Sequence, residues 1–417
     1  MDRDSLRRLR AQPGYLRFVS AATLARVSDE MFGVGVVLLV LDRTGDEALA
    51  GAAVAAVTLP SLVTGPLLGA WLDLTGRRRV LMVIDQIVIA SVLLALVALV
   101  GHAPTWAIVL VVLPAGLTYP LSFGGFTSMI PSLVPGELLA PANALETTSF
   151  NSALVVGPAL AGTLSATIGP AAPLFVEAAL ALAALALIVR IPKLDGQAER
   201  SAGDTLLGIA AQGLRQIVSV PQLRGVTAAA ALGLGGLGLL TVAFPLFAVD
   251  HLGVEESASG YMWAAFAVGS TFGALTLVHL QRRFPPERIV LTGYALFGLL
   301  MLTWQLAGTL AVFLALVALA AMVDGPALAA QFAVRQQYVP PRLYGQVFTT
   351  AVGLKVGCLA LGAAASGALV TRIGSAETLA VAAGMQVLAA VVGVTLVRLP
   401  ARRDRDAAAR PSAARRA

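Results

Sequence analysis

Long apolar runs separated by short polar segments, many of them basic, form the dominant pattern of this chain. Twelve runs are long enough to cross a bilayer as helices, since a span needs about 20 mostly apolar residues. We number them spans 1 to 12. They lie near 16–41, 48–72, 79–101, 104–128, 143–167, 171–190, 224–249, 259–280, 287–306, 309–332, 346–370 and 376–397. The pattern predicts an all-α membrane protein with twelve transmembrane helices.

The composition supports a lipid environment. Of the 417 residues, 58% are hydrophobic and 12% are charged, whereas a soluble domain carries about 25% charged residues. The single cysteine, Cys358, excludes an internal disulfide and a cysteine-rich metal site. No nucleophile–base pair, nucleotide loop or metal-ligand spacing is evident, so we expect no enzyme activity, no cofactor and no bound metal.

The basic residues predict the orientation of the chain. A net charge of +6 could indicate nucleic-acid binding, but the basic residues lie between spans rather than on one soluble face. With the N-terminus placed in the cytoplasm, 25 of the 29 basic residues, Arg335 among them, fall on the cytoplasmic side. Only Arg43 and Arg372 fall outside, and Arg26 and Lys355 lie within spans. This asymmetry predicts that both termini are cytoplasmic and that nucleic acid is not a partner.

The two parts of the chain repeat each other. The segment 134–138, Val-Pro-Gly-Glu-Leu, returns at 339–343 as Val-Pro-Pro-Arg-Leu, and other positions match at the same offset. Parallel repeats with a substrate site between them are a known transporter architecture. We therefore expect two pseudo-symmetric six-helix halves, 1–190 and 224–397. Between them we expect a cytoplasmic linker, 191–223, partly lying along the membrane surface, and after them a disordered basic cytoplasmic tail, 398–417.

A glycine- and arginine-rich segment joins spans 2 and 3. It matches the pattern G-x-x-x-D-[RK]-x-G-R-[RK] at Gly69, Asp73, Gly76, Arg77 and Arg78, but has Leu74 where a basic residue is usual. In this signature loop the chain resembles the major facilitator superfamily (MFS), and the resemblance extends over essentially the whole sequence.

The resemblance implies a role for the acid of this loop. Asp73 would cap the N-terminal end of span 11 near Gln346, where the helix dipole favours an anion, and would help to latch the outward-facing state. The alternative is a solvated turn whose arginines only set topology.

Span 5 carries a second pattern. Gly157, Pro158 and Gly162 partly match the G-x-x-x-G-P-x-x-G-G element of bacterial proton-driven drug antiporters, with Ala153 and Ala161 in place of two glycines. The resemblance favours efflux, although span 4 lacks the arginine that those antiporters carry. Ordinary close packing of small residues is the alternative.

Ionisable residues inside the spans are candidates for function because a charge in the bilayer is costly. We single out Arg26, Asp29 and Glu30 in span 1, Asp324 in span 10 and Lys355 in span 11. The spacing in span 1 puts all three residues on one helix face, so one acid can neutralise Arg26 and the other remains for a proton or a substrate. Static ion pairs, Arg26 with Asp29 or Asp324 with Lys355, are the alternative. Three further acids lie closer to span ends: Asp85 in span 3, Glu146 in span 5 and Glu177 in span 6.

These observations predict a secondary active transporter that works by alternating access in a bacterial plasma (inner) membrane. The leading hypothesis is proton-coupled efflux of small amphipathic compounds by a monomer, with protons, substrate and membrane lipids as partners. The alternative on the same fold is an importer or facilitator of a sugar, an amino acid or another metabolite.

Overall fold

A computed structural model describes residues 3–192, 205–255 and 258–399. These described residues form helices joined by short turns, with no β-strand among them. The polar part of the predicted linker and nearly all of the predicted tail, 400–417, lie outside the described residues.

Each predicted span has a helical counterpart, and several are built from more than one segment. In order along the chain they are Tyr15–Thr44; Glu47–Thr58 with Ser61–Thr75; Arg78–Leu99; Thr105–Thr118 with Leu121–Gly125 and Phe126–Leu133; Leu139–Thr167; Ala172–Ile188; Pro221–Gly238 with Leu240–Asp250; Ser259–Thr276; Pro286–Met301 with Leu302–Leu306; Leu310–Tyr338; Tyr344–Ile373; and Ser375–Arg398. The remaining helices, Arg3–Ala11, Leu206–Ser219 and Leu280–Arg283, are short and lie between or before spans.

Not all of these helices are apolar enough to be recognised as spans by composition alone. Among the described residues, eight helical stretches have the length and hydropathy to cross a membrane, and Ala172–Ile188 is a shorter apolar helix. Spans 1, 5 and 8 fall outside both groups. They carry the polar side chains Asp29, Asn151 and Ser270, and they pack against other spans, so less of their surface has to face lipid.

Proline marks two irregularities in the N-terminal half. Span 2 is interrupted at Leu59 and Pro60, between its two helical segments. In span 4 a short π-helical turn, Leu121–Gly125, follows Pro120. Proline removes a backbone donor, and such turns change the direction of the side chains that follow. Here the turn holds Ser122 in the interior.

The spans pack first within each half and then across the halves. Span 1 packs on spans 5 and 6, and span 8 packs on span 10. Span 2 against span 11 and span 5 against span 8 are the extensive contacts across the halves. Helix Leu206–Ser219 lays its buried residues on spans 2 and 11. The end of the bundle that carries this helix and the start of span 1 is called the terminal side below.

One placement from the charge pattern is wrong. Arg335 was assigned to the polar segment after span 10, but that helix continues to Tyr338 and Arg335 is 3% exposed. Its guanidinium lies over the ring of Phe348, 5.6 Å from the centroid. Arg335 is therefore an interior residue and not a loop charge.

Candidate functional site

The signature loop holds the two halves together at the terminal side. Asp73 Oδ1 accepts a hydrogen bond from the Gly345 backbone N–H at 2.8 Å, and Oδ2 accepts one from the Gln346 N–H at 2.7 Å. Both donors belong to the first turn of the helix Tyr344–Ile373. N–H groups in a first turn lack intrahelical partners and carry partial positive charge, so a carboxylate satisfies both needs.

The glycines of span 2 allow the backbones to approach closely enough for these bonds. A Cβ at Gly69 would collide with Gln346 Cα and with the Thr349 hydroxyl. Thr349 Oγ1 in turn donates to the Gly65 carbonyl at 2.6 Å. Span 2 and span 11 are thus in backbone contact, and any side chain at Gly69 would separate them.

The rest of the loop is a tight turn. Gly76 ends the helix of span 2 at φ +63°, a left-handed conformation that glycine adopts at little cost. Arg77 is exposed. The Arg78 guanidinium donates to the Ser132 hydroxyl at 3.4 Å and lies within electrostatic range of Asp73. Leu74, at the position where a basic residue is usual, packs on an apolar cluster at the terminal side.

Three amide side chains add to the closure of the terminal side. Asn143 of span 5 and Gln336 of span 10 exchange two hydrogen bonds, at 2.9 and 3.0 Å. The Gln346 side chain donates to the Ala210 carbonyl of helix Leu206–Ser219 at 3.0 Å. These contacts and those of Asp73 all lie at the same end of the bundle and close the space between the halves there.

Arg26 pairs with an acid that is distant in the sequence. Its guanidinium donates to both oxygens of Glu146 in span 5, at 2.5 and 3.1 Å, and to the Ser149 hydroxyl at 2.9 Å. Arg26 is 0% exposed and Glu146 is 1% exposed. The expected local pairing with Asp29 is therefore wrong, and Arg26 serves as a bidentate tie between spans 1 and 5.

Asp29 and Glu30 are left without a cationic hydrogen-bond partner among the described residues. Both residues are partly exposed. Asp29 lies within electrostatic range of Asp85 and Glu30. The Tyr119 phenol of span 4 lies within the same range of both span 1 acids.

Two further acids lie behind Asp29, in the interior of the N-terminal half. Asp85 of span 3 and Glu177 of span 6 are each 0% exposed. Asp85 Oδ2 accepts from the Ser122 hydroxyl at 2.9 Å and from Gln86 Nε2 at 2.8 Å. Neither carboxylate oxygen of Glu177 has a hydrogen-bond partner within the described part of the chain. The apolar runs had placed both acids nearer the span ends.

In the C-terminal half, Asp324 is connected to the N-terminal half through a serine. The Ser270 hydroxyl of span 8 donates to Asp324 Oδ2 at 3.2 Å, and it accepts from Asn151 Nδ2 of span 5 at 2.9 Å. Lys355 Nζ donates to Gln331 Oε1 at 3.2 Å. Asp324 and Lys355 lie within electrostatic range of each other, but they are not among the contact ion pairs of the described residues, so the static contact pair is not formed.

Aromatic rings form a chain of contacts from span 4 to span 10. Phe150 of span 5 packs on Phe332 of span 10, with centroids 5.8 Å apart, and on Phe123 of span 4, at 5.3 Å. Tyr119 packs on Phe123 in a tilted arrangement, at 5.1 Å. The Arg26 guanidinium covers the Phe150 ring at 4.3 Å. This chain of contacts thus joins Tyr119, which lies within electrostatic range of the span 1 acids, to Phe332 of the other half.

The two glycines of the glycine–proline element of span 5 have different surroundings. A Cβ on Gly157 would stand 2.7 Å from Glu30 Cβ and 3.0 Å from the Met31 nitrogen, so this glycine allows span 5 to contact span 1 beside Glu30. Gly162 has nothing within 4 Å of its Cβ position. Close packing is thus a property of Gly157 and not of Gly162. Pro158 lies inside the continuous helix Leu139–Thr167.

Sequence reasoning passed over several residues of the site. Asp85, Ser122, Glu146, Asn151 and Glu177 all contribute to these contacts. The intramembrane position of the three acids was a usable signal, but all three lie within about two turns of a predicted span start, which suggests a position near the membrane surface. For Glu146 the helix in fact begins at Leu139, four residues before the predicted span. Ser122 and Asn151 carried no signal, since small polar residues are common in membrane helices. Across the described residues, no group of His, Cys, Asp and Glu is arranged to hold a metal ion.

Two helical halves in contact at one side, with polar groups between them, define a secondary transporter of the parallel-repeat class. The family model of the Major Facilitator Superfamily matches residues 18–351, and a second match covers 226–416. The chain belongs to this superfamily. It is accordingly a membrane transporter for a small molecule and not an enzyme.

Similar proteins support this assignment. An uncharacterised MFS-type transporter, y4rN, of Sinorhizobium fredii is 31% identical over 94% of this chain and 97% of its own length. The multidrug efflux pump Tap of Mycolicibacterium fortuitum is 29% identical over 89% of this chain and 92% of its own. A bacterial homologue of the iron transporter ferroportin, solved in an outward-facing state, shares the fold with a TM-score of 0.73 at 19% identity, covering 91% and 98% of the two chains.

Proposed function

We propose that this transporter exports small amphipathic compounds in exchange for protons, by alternating access. The observation that carries the proposal is the combination of acids and aromatic rings in spans of both halves. Asp29, Glu30 and Asp324 are partly exposed, and the partly exposed ring of Phe150 contacts Phe332 of the other half. Aromatic faces suit the apolar part of a substrate, and carboxylates can bind either a proton or a positive charge.

The named relatives favour export over import. Tap is described as a multidrug efflux pump, and a macrolide efflux protein of Streptococcus pyogenes is 21% identical over 84% of this chain. Both similarities extend over most of the sequence and are not confined to the signature loop, so the whole transport unit is compared. Export of amphipathic compounds by this chain is the simplest function consistent with them.

The proposed cycle uses each group for one task. Substrate and protons compete for the acids between the halves, so that binding of one favours release of the other. The Arg26–Glu146 pair remains intact and keeps spans 1 and 5 together. In the cycle, Asp73 acts as a latch: its bonds to the span 11 N-terminus hold the terminal side closed, and they break when that side opens.

The proposal also covers the orientation in the membrane, the division into halves and the oligomeric state. We assign the terminal side to the cytoplasm of a bacterial cell, because the sequence pattern allots 24 of the 29 basic residues to that side once the interior Arg335 is left out. The halves are 1–190 and 224–397, each moving as a unit, and one chain suffices for transport.

Everted membrane vesicles give the direct test, with ethidium as a fluorescent amphipathic cation. Imposing a proton gradient should drive ethidium into vesicles that contain the protein, and a protonophore should abolish this uptake. Asp29→Asn, Glu30→Gln and Asp324→Asn should each weaken the gradient dependence. Asp42→Asn is the matched control, since Asp42 is an exposed acid at the far end of span 1.

The outcomes separate the candidate functions. Ethidium uptake that is unchanged by the protonophore would refute proton coupling. An absence of ethidium transport, together with solute-dependent growth of an expressing strain on a sugar or an amino acid, would favour the importer.

A further inference from the structure

Ser122 stands between two acids but has only one proton to donate. Its hydroxyl donates to Asp85 Oδ2 at 2.9 Å. The Asp29 carboxyl faces the same hydroxyl from span 1. A serine hydroxyl is one donor with two acceptor lone pairs. Once Ser122 donates to Asp85, Asp29 can form a hydrogen bond with it only by donating a proton of its own.

The other contacts determine which acid holds the proton. Asp85 Oδ2 accepts two hydrogen bonds, from Gln86 Nε2 at 2.8 Å and from Ser122 at 2.9 Å. These donors stabilise a carboxylate. Asp85 Oδ1 and Asp29 Oδ2 are both buried without a hydrogen-bond partner among the described residues, but Asp29 has no amide donor to set against that cost. A buried anion without donors is far costlier than a buried neutral acid, so Asp85 is the anion and Asp29 is the protonated acid.

The surrounding charges agree with one proton shared by the pair. Arg26 on span 1 lies within electrostatic range of Asp29, but its guanidinium is paired with both carboxylate oxygens of Glu146 of span 5, so its charge is already balanced. Glu30 lies on the same helix, Tyr119 faces Asp29 from span 4, and Glu177 faces it from span 6. None of these groups supplies a positive charge. Two adjacent carboxylates in such surroundings cannot both be ionised at modest cost.

We propose that Asp29, Ser122 and Asp85 form a single proton-binding site in the N-terminal half, in which Ser122 bridges a protonated Asp29 and an ionised Asp85. Asp29 is the member that exchanges protons, because it is partly exposed, whereas Asp85 and Ser122 are 0% exposed. On release, the proton passes from the Asp29 carboxyl to water between the halves. This inference rests on the proposed proton coupling and names the site that performs it.

Infrared difference spectroscopy of the purified, reconstituted protein tests the site without any substrate. The probe is the carbonyl-stretch band of a protonated carboxylic acid, followed through a pH titration. In the wild type one such band should vanish as the pH rises, and Asp29→Asn should remove it. Asp85→Asn should lower the pH at which the band vanishes by on the order of one unit or more, because the neighbouring negative charge is gone.

Two matched variants distinguish the bridge from general disruption. Ser122→Ala should shift the position of the band, since the carboxyl loses its hydrogen-bond partner. Ser128→Ala should leave the band in place, because Ser128 is also buried in span 4 but donates to the Gly125 carbonyl. Asp250→Asn is the control for charge removal: Asp250 accepts from Ser375 in the C-terminal half.

Failure of the site and failure of the proposed function give different results. The site is wrong if the wild type shows no pH-dependent carboxylic-acid band, or if the titration of Asp85→Asn coincides with that of the wild type. If the band behaves as expected but ethidium uptake does not depend on the proton gradient, the proton-binding site is supported and proton-coupled export is refuted.

Discussion

Replacing Asp73 by asparagine should open the terminal side. The carboxylate accepts two backbone hydrogen bonds from span 11, at 2.8 and 2.7 Å. Asparagine keeps one acceptor oxygen and turns an N–H₂ group toward the second donor, so one bond and the negative charge are lost together. A hydrogen bond to a charged group contributes about 1.5–3 kcal/mol. Since about 1.4 kcal/mol is a factor of ten, the equilibrium should move about 10- to 150-fold toward the open terminal side.

Distance measurements between spin labels can read this equilibrium. Cysteines at the exposed positions Gly136 and Arg283 report on the two halves at the terminal side, in a background where Cys358 is replaced by serine. Asp73→Asn should increase the population with long distances, and Asp73→Glu, which keeps the charge, should restore part of the short-distance population.

Asp42→Asn is the control, because Asp42 is exposed and lies away from this contact. A distance distribution for Asp73→Asn that matches the wild type would show that the two bonds do not hold the halves together, and the latch would have to be abandoned.

Three further changes give distinct outcomes. Arg26→Gln leaves Glu146 buried without its cation and should lower the free energy of unfolding by about 3–5 kcal/mol. Thermal denaturation in detergent measures this change. Replacing both residues by apolar ones should recover much of the lost stability. Gly157→Ala should lower the free energy of unfolding by about 1–3 kcal/mol, because the added methyl group overpacks the contact with span 1. Gly162→Ala has open space around it and should have the melting temperature of the wild type. Equal melting temperatures for the two variants would contradict the contact with span 1. Asn151→Ala removes the donor to Ser270 and should change the pH dependence of ethidium transport, which a purely structural role would leave unaltered.

Much of the fold could be predicted from the sequence because bilayer thickness imposes a length on every span. Each of the twelve apolar runs has a helical counterpart. The differences lie at helix ends, as where span 10 continues past 332 to Tyr338, and in the breaks inside spans such as span 2 and span 4. The placement of Asp73 beside Gln346 was available only through the signature loop, since the two residues are more than 270 positions apart. Patterns formed by residues that are close together in the sequence cannot predict such contacts.

The candidate site was less predictable for the same reason. Helical spacing suggested Asp29 as the partner of Arg26, but the bidentate contact with Glu146 is better in geometry and spans 120 positions. Ser122 is turned inward by the π-helical turn after Pro120, which no periodicity indicates. Residues that act through contacts between helices become visible only when the helices are packed.

The exchange of protons for substrate is tested most directly by asking whether a gradient of substrate alone moves protons across the membrane in the opposite direction. Proteoliposomes are loaded with ethidium and a pH-sensitive dye and are then diluted into ethidium-free buffer at equal pH. The account predicts that the lumen acidifies as ethidium leaves, and that Asp29→Asn abolishes this while Asp42→Asn does not. A lumen that becomes alkaline, or whose pH stays constant while ethidium leaves, would contradict it.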